Sequence, residues 1–302
     1  MSRAAYEASY NSLSKILEHL ASDQAFDINE RYSLDTTDEQ RASGERVAVG
    51  RGATLLHHAF SIGRLDLAQL LLDSGANPTM TDLQGVTPLG KLLFIESQLG
   101  NAALETLAGS SRTPIFSGFS QAYPDFLFEN AITRPKEKGN VFHQIASAWE
   151  GGRIHGGLTH GRRTLGTLLG YFQNRDPGYL KVLLNQGIES SGWTPVHHAA
   201  RSGYVVGVRL MIDFGADSRL KDGEGLAPKD RCEERSWDKE LAIQTVSFES
   251  IGMPWLDADG LIAGKLRREY DQRTQETIQM LQRTSLENAE PHYIPVYSRL
   301  NL

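Results

Sequence analysis

The 302-residue chain has a single cysteine, Cys232. No internal disulfide can form and no cysteine-based zinc cluster can be built, so a reducing, intracellular setting is expected, cytoplasmic or nuclear. The chain also lacks any block of like charge. With a net charge of −6 and a pI near 5.9 it has no broad basic face for phosphate backbones, and no direct nucleic-acid contact is expected. Long apolar runs are absent too, which predicts no membrane insertion. The opening stretch "MSRAAYEASYNSLSKILEHLA" spaces its apolar residues helically instead of gathering them into a signal-peptide core. What the chain does have is 40% hydrophobic residues, enough to build two conventional domains or one elongated array.

Two segments are near copies. "GATLLHHAFSIGRLDLAQLLLDSGANPTMTDLQG" starts at Gly52, and "GWTPVHHAARSGYVVGVRLMIDFGADSRLKDGEG" starts at Gly192. In each the opening glycine recurs 33 residues later, at Gly85 and at Gly225. Thr194-Pro195 puts a hydroxyl at a helix cap and proline in the first turn, where its missing N–H costs nothing. Ala199 and Ala200 then allow close packing, and Gly203 closes this inner helix. An outer helix follows with Val208, Leu210 and Met211 on or near its packed side, ending at Gly215-Ala216-Asp217. In the first copy Leu67, Leu70 and Leu71 take that core role, and Gly75-Ala76-Asn77 forms the turn.

Weaker copies open at Gly85 ("GVTPLGKLLF"), at Gly139 ("GNVFHQIASA", with His143 in register with His57) and at Gly225 ("GLAPKD"). Residues 180–188, "LKVLLNQGI", read as the outer helix of the Gly139 unit, and residues 1–51 as a divergent capping repeat. The chain thus resembles ankyrin-repeat proteins, whose period and motif match at these positions. The resemblance implies an all-α ankyrin-repeat solenoid of about six helix-turn-helix units with insertions. Repeats would run over 52–231, and residues 232–302 would form a C-terminal helical cap and extended tail. Insertions are expected near 96–122 and 149–163, with the outer helix of the third unit within "YPDFLFENAI". An extra helix is expected at "TLGTLLGYF". The interrupted pattern is also similar to the ankyrin regions of fungal cell-cycle transcription factors over residues 52–230.

The doubled histidines, His57-His58 and His197-His198, are the first candidates for chemistry. Adjacent helix residues point about 100° apart, so such a dipeptide does not chelate a metal as an i, i+4 pair does. The ankyrin resemblance instead implies structural roles for Thr54, His57, His143, Thr194, Pro195 and His197, with Asn140 replacing the threonine in the fourth unit. In "GGRIHGGLTHGRRT" the lysine of a phosphate-binding loop is missing and the hydroxyl falls one place late. "DADG" at 257–260 has Arg268 where a calcium loop needs glutamate. No metal or cofactor is expected, and no catalytic residue.

The expected function is that of a non-enzymatic protein–protein interaction scaffold or adaptor. Its candidate partner-binding residues are Ser61, Ile62, Leu83, Gln84, Val86, Trp193, Arg201, Ser202 and Glu224 on tips and inner-helix ends. Arg153, His155, His160, Arg162 and Arg163 are further candidates in the glycine-rich insertion. Two alternatives stand beside this reading. One is a host-directed bacterial effector or modifying enzyme with a pocket on the insertions; the other is a transcription cofactor without a DNA-binding domain of its own.

Overall fold

The computed structural model describes residues 27–31, 52–93, 98–109, 117–150, 158–233 and 271–283. Its elements are α1 (Leu55–Ser61), α2 (Leu65–Asp73), α3 (Pro88–Leu92), α4 (Gln98–Leu107), α5 (Ser117–Ala122) and α6 (Phe126–Glu129). A small hairpin of β1 (Ile132–Arg134) and β2 (Gly139–Asn140) follows. Then come α7 (Val141–Glu150), α8 (Leu158–Arg175), α9 (Pro177–Asn185), α10 (Pro195–Ser202), α11 (Val205–Asp213), α12 (Pro228–Glu233) and a helix over residues 271–283, α13. The fold is the expected all-α repeat solenoid. Inner helices α1 and α3 lie side by side, as do α7, α10 and α12, and outer helices α2 and α11 back onto α1 and α10.

Short inner helices persist because each is capped and packed. Thr87 accepts a hydrogen bond from the Gly90 N–H, and Pro88 and Pro195 occupy first-turn positions of α3 and α10. Asn140 takes over where threonine is absent. Its Oδ1 accepts from the Phe142 N–H at 3.0 Å, and its Nδ2 donates to the Leu183 carbonyl on α9 at 2.8 Å, so one amide caps an inner helix and ties it to its outer helix.

The turns between units carry a second repeated device. Asn185 donates to the Gly215 carbonyl and accepts from the Asp217 N–H at 2.6 Å. Asn29 does the same to Gly75 and Asn77, at 3.3 and 2.7 Å. The segment at 27–31 therefore docks on the next unit as a repeat does.

The interruptions are helical over much of their length. Between 96 and 122 lie α4 and α5, and the expected loop at 149–163 is entered by α7 and left by α8, which starts at Leu158. The reason is burial: Leu165, Leu168, Leu169 and Phe172 form one buried helical stripe, and α8 packs against α4, α7, α9 and α11. The two insertions thus meet each other. The outer helix expected in "YPDFLFENAI" is the four-residue α6, broken from α5 at Tyr123-Pro124 because proline cannot donate into a continuing helix. The helix expected at 180–188 starts earlier, at Pro177 behind the Asp176 cap, and ends at Asn185.

Phe60 stands where α10 has Ala200. It is fully buried, stacked on Phe126 at 5.4 Å and edge-on to Phe119 at 6.4 Å, so α5 and α6 supply an aromatic cluster that receives it. At the other end, Cys232 is buried with its thiol 3.8 Å from the Thr274 carbonyl, and Thr277 and Leu281 of α13 are buried. Of the expected C-terminal cap and extended tail, residues 234–270 and 284–302 lie outside the described residues.

Candidate interaction surface

Each repeated histidine is held at both ring nitrogens. His57 Nδ1 faces the Thr54 backbone N–H at 3.0 Å, and its Nε2 faces the Val86 carbonyl at 3.0 Å. A backbone N–H can only donate and a carbonyl can only accept, so the imidazole is neutral with its proton on Nε2. His197 repeats this between the Thr194 N–H at 3.1 Å and the Leu226 carbonyl at 3.1 Å. His143 sits between the Asn140 N–H at 3.2 Å and the Trp193 carbonyl at 3.0 Å. Every one of these imidazoles bridges its own cap to the segment that enters the next unit. Burial pushes His57 and His143 down to about 4, and lowers His197, against the opposing pull of the carbonyls they donate to.

The third unit has no such histidine. Gly90 holds the place, and the Thr87 N–H donates straight to the Thr133 carbonyl of the next hairpin at 2.9 Å. A Cβ at Gly90 would lie 2.6 Å from Val86 Cγ1 and 3.2 Å from Thr133 Cβ, so the two units approach more closely than an imidazole permits.

The loops entering α3 and α12, the fingers of the stack, are rigidified by buried aspartates. Asp82 Oδ1 accepts from the N–H groups of Gln84 and Val86, and its Oδ2 pairs with Lys91. Asp222 Oδ1 accepts from Glu224 and Leu226, and its Oδ2 takes Arg231 Nε at 2.6 Å. Burial pushes the Asp222 carboxyl upward, but Arg231 and the two N–H donors outweigh it and leave it below the usual carboxylate value. Fingers also stack. Gly52, at positive φ, leaves no room for a Cβ beside Leu83, and Gly192, also at positive φ, leaves none beside Gly223, whose N–H donates to the Ser191 carbonyl.

The candidate contact residues divide on this frame. Leu83 is 70% exposed at a finger tip, Gln84 and Glu224 are exposed beside it or at the equivalent tip, and Ser61, Ile62 and Arg201 are half-buried. Glu224 accepts Arg231 Nη2 at 2.7 Å. Val86 is a correction: it is 1% exposed, because the loop entering α3 turns it into the stack and lends its carbonyl to His57. Ser202 is a second, being buried with its hydroxyl donating back to the His198 and Ala199 carbonyls. Trp193 is half-buried, its ring set against His198 at 4.9 Å with the Arg231 guanidinium 5.1 Å above it. Arg153 and His155 lie outside the described residues. His160, Arg162 and Arg163 fall in the first turns of α8, with their side chains likewise outside.

Sequence reasoning missed that units four and five bring His143 and His198 together, with ring centroids 5.8 Å apart. The register of His143 with His197, one place before His198, was the available signal. Among the described residues no group of histidine, cysteine, aspartate and glutamate has a geometry that holds a metal ion, and no helix is long and apolar enough to cross a membrane.

The ankyrin-repeat family profile matches residues 51–83 and 191–223, so the chain carries ankyrin repeats, a protein–protein interaction module. No curated protein matches. Among solved structures, the S. cerevisiae Swi6 ankyrin-repeat fragment aligns at 20% identity and a TM-score of 0.47, over 72% of this chain and 78% of that one. A chain in the complex of the predatory endopeptidase Bd0816 of Bdellovibrio bacteriovorus with immunity protein Bd3460 aligns at 18% identity and a TM-score of 0.41. That alignment covers 77% of this chain and 92% of the other.

Proposed function

We propose that the chain is a non-enzymatic scaffold or adaptor that presents its finger tips and inner-helix ends to a protein partner. The observation that carries this reading is Leu83: a large apolar side chain, 70% exposed, on a turn fixed by the buried Asp82 carboxylate. A pre-ordered apolar tip loses little conformational entropy when it is covered, which favours binding. Gln84 is exposed beside it, and Ser61 and Ile62 are half-buried at the C-terminal end of α1. The titratable groups that first suggested chemistry, His57, His143 and His197, spend both ring nitrogens on holding units together. An intracellular place of action accords with a lone, buried cysteine. No observation favours the modifying-enzyme or transcription-cofactor alternatives.

The test is affinity capture with the full chain from its native cell, set against Leu83→Asp. Loss of the captured protein by the variant, with an unchanged thermal midpoint, supports the scaffold reading. Equal capture by both chains removes the finger tip from the interface, and turnover of a captured protein without stable binding would favour an enzyme.

A further inference from the structure

The residue four places after each inner-helix cap forms a row along the stack: His58, Lys91, Gln144, His198 and Arg231. Two members of this row have a buried carboxylate supplied by their own finger, Asp82 for Lys91 and Asp222 for Arg231. In both cases the aspartate lies five residues before the cap. The same place is Pro135 before α7, which has no side-chain acceptor, and Glu189 before α10. Glu189 is exposed and turns toward Lys138, 3.7 Å away. Units four and five therefore lack the carboxylate that their neighbours build in.

The polar atoms left there are mostly donors. Gln144 Nε2, Arg134 Nε, Arg201 Nη1 and His198 Nδ1 are all buried with no hydrogen-bond partner among the described residues. All four lie on α7, on α10 packed against it, or on the strand β1 that packs against α7. Gln144 adjoins His143, whose ring meets that of His198 at 5.8 Å, and Arg201 follows His198 by three residues on the same face of α10. The Arg134 stem lies across Gly139, 3.1 Å from where a Cβ would stand, next to the Asn140 N–H that holds His143. Arg134 also gives Nη1 to Glu137 at 3.4 Å, which leaves its buried Nε aimed elsewhere. Gln144 is 1% exposed, whereas Arg134 and Arg201 are half-buried, so the cluster has a buried base and an edge that reaches solvent.

We propose that this cluster is a carboxylate-binding site, filled by an aspartate or glutamate side chain of a protein partner. The proposal rests on the scaffold reading and names the chemistry of what that scaffold holds. A carboxylate accepts several N–H donors at once, and a guanidinium is the group best shaped to meet it. The fold itself uses this solution one unit further on, where Asp222 lies against Arg231. The partner's acid supplies in trans what Asp222 supplies in cis.

Two measurements on the full chain test it. In the first, Gln144→Glu places a carboxylate among the donors from within. Its thermal midpoint should rise by about 3 °C, and the rise should vanish when Arg201→Met is added. A midpoint lowered equally in both backgrounds, as for a buried acid with no partner, overturns the proposal. In the second, a fluorescein-labelled hexaglutamate peptide is titrated by anisotropy against the wild-type chain, Gln144→Glu and Arg201→Met. Binding should weaken about tenfold in each variant, and hexaglutamine should not bind. Absence of hexaglutamate binding, or equal affinity in all three chains, overturns the site. Hexaglutamate binding with no partner captured from the cell leaves the site standing and removes the scaffold reading; capture unaffected by Arg201→Met does the reverse.

Discussion

The segments beginning at Gly52 and Gly192 are built with the same polar parts and different apolar ones. Both use a histidine between a threonine N–H and the carbonyl of the following unit, and both lead to a finger held by a buried aspartate. Both outer-helix turns are also tied to the preceding unit by an asparagine. They part at Phe60 and Ala200. Ala200 lies in an inner helix flanked by α7 and α12, while Phe60 is received by Phe119 and Phe126 from the first interruption. Polar devices mark what all units share, and side-chain volume marks which neighbour each unit has.

The shared device should fail first, in acid. His57 and His143 have folded pKa values of about 4, below the ordinary value of 6.5, so between those limits the unfolded chain binds more protons. Their contribution is complete above pH 6.5 and is lost as pH falls toward 4, on the order of 2–3 kcal/mol for each histidine. Urea unfolding at pH 7.5, 6, 5 and 4 should give a midpoint that falls steadily across that window; a flat profile would refute the neutral, doubly bonded assignment.

The difference between the twins can be broken directly. Phe60→Ala should cost about 3–5 kcal/mol, because it empties a fully buried site among rigid aromatics. The reciprocal Ala200→Phe overpacks a site lacking that cluster and should cost about 1–3 kcal/mol. Equal small effects in chemical unfolding would mean that the interruption does not support α1. Gly90→Ala probes the unit without a histidine. The usual helical gain from alanine should be outweighed by the 2.6 Å approach to Val86, for a net loss of about 1–2 kcal/mol. A stabilised variant would show that this approach can relax. The smallest change is expected from Tyr123→Phe, which removes an exposed 2.7 Å bond to Asp73 that joins the interruption to α2. About 0.5 kcal/mol or less should be lost, read as a shift of a degree or so in the thermal midpoint.

Much of the frame was legible in the sequence. His57, His143 and His197 mark equivalent steps, and their partners Val86, Trp193 and Leu226 each immediately precede the cap of the next inner helix. The candidate surface was less legible. Val86 and Ser202 read as tip and helix-end residues, but one is turned inward by its loop and the other folds its hydroxyl back on its helix. The glycine-rich insertion reads as loop with an extra helix after it at "TLGTLLGYF", yet α8 already starts at Leu158 inside the insertion and runs for 18 residues, its leucines meeting α4 and α11, elements that spacing along the chain does not reveal.

The sequence by itself determined the register of the stack, its caps and its turns. These depend on bonds spanning a few residues: a cap hydroxyl or amide, a histidine three places on, an aspartate that ties its own turn. Tertiary structure alone decided that α4 and α8 meet, that Phe60 has an aromatic receiver, and that the rings of His143 and His198 come within 5.8 Å of each other. Those features depend on which units become neighbours after two interruptions, and contacts across tens of residues leave no local pattern.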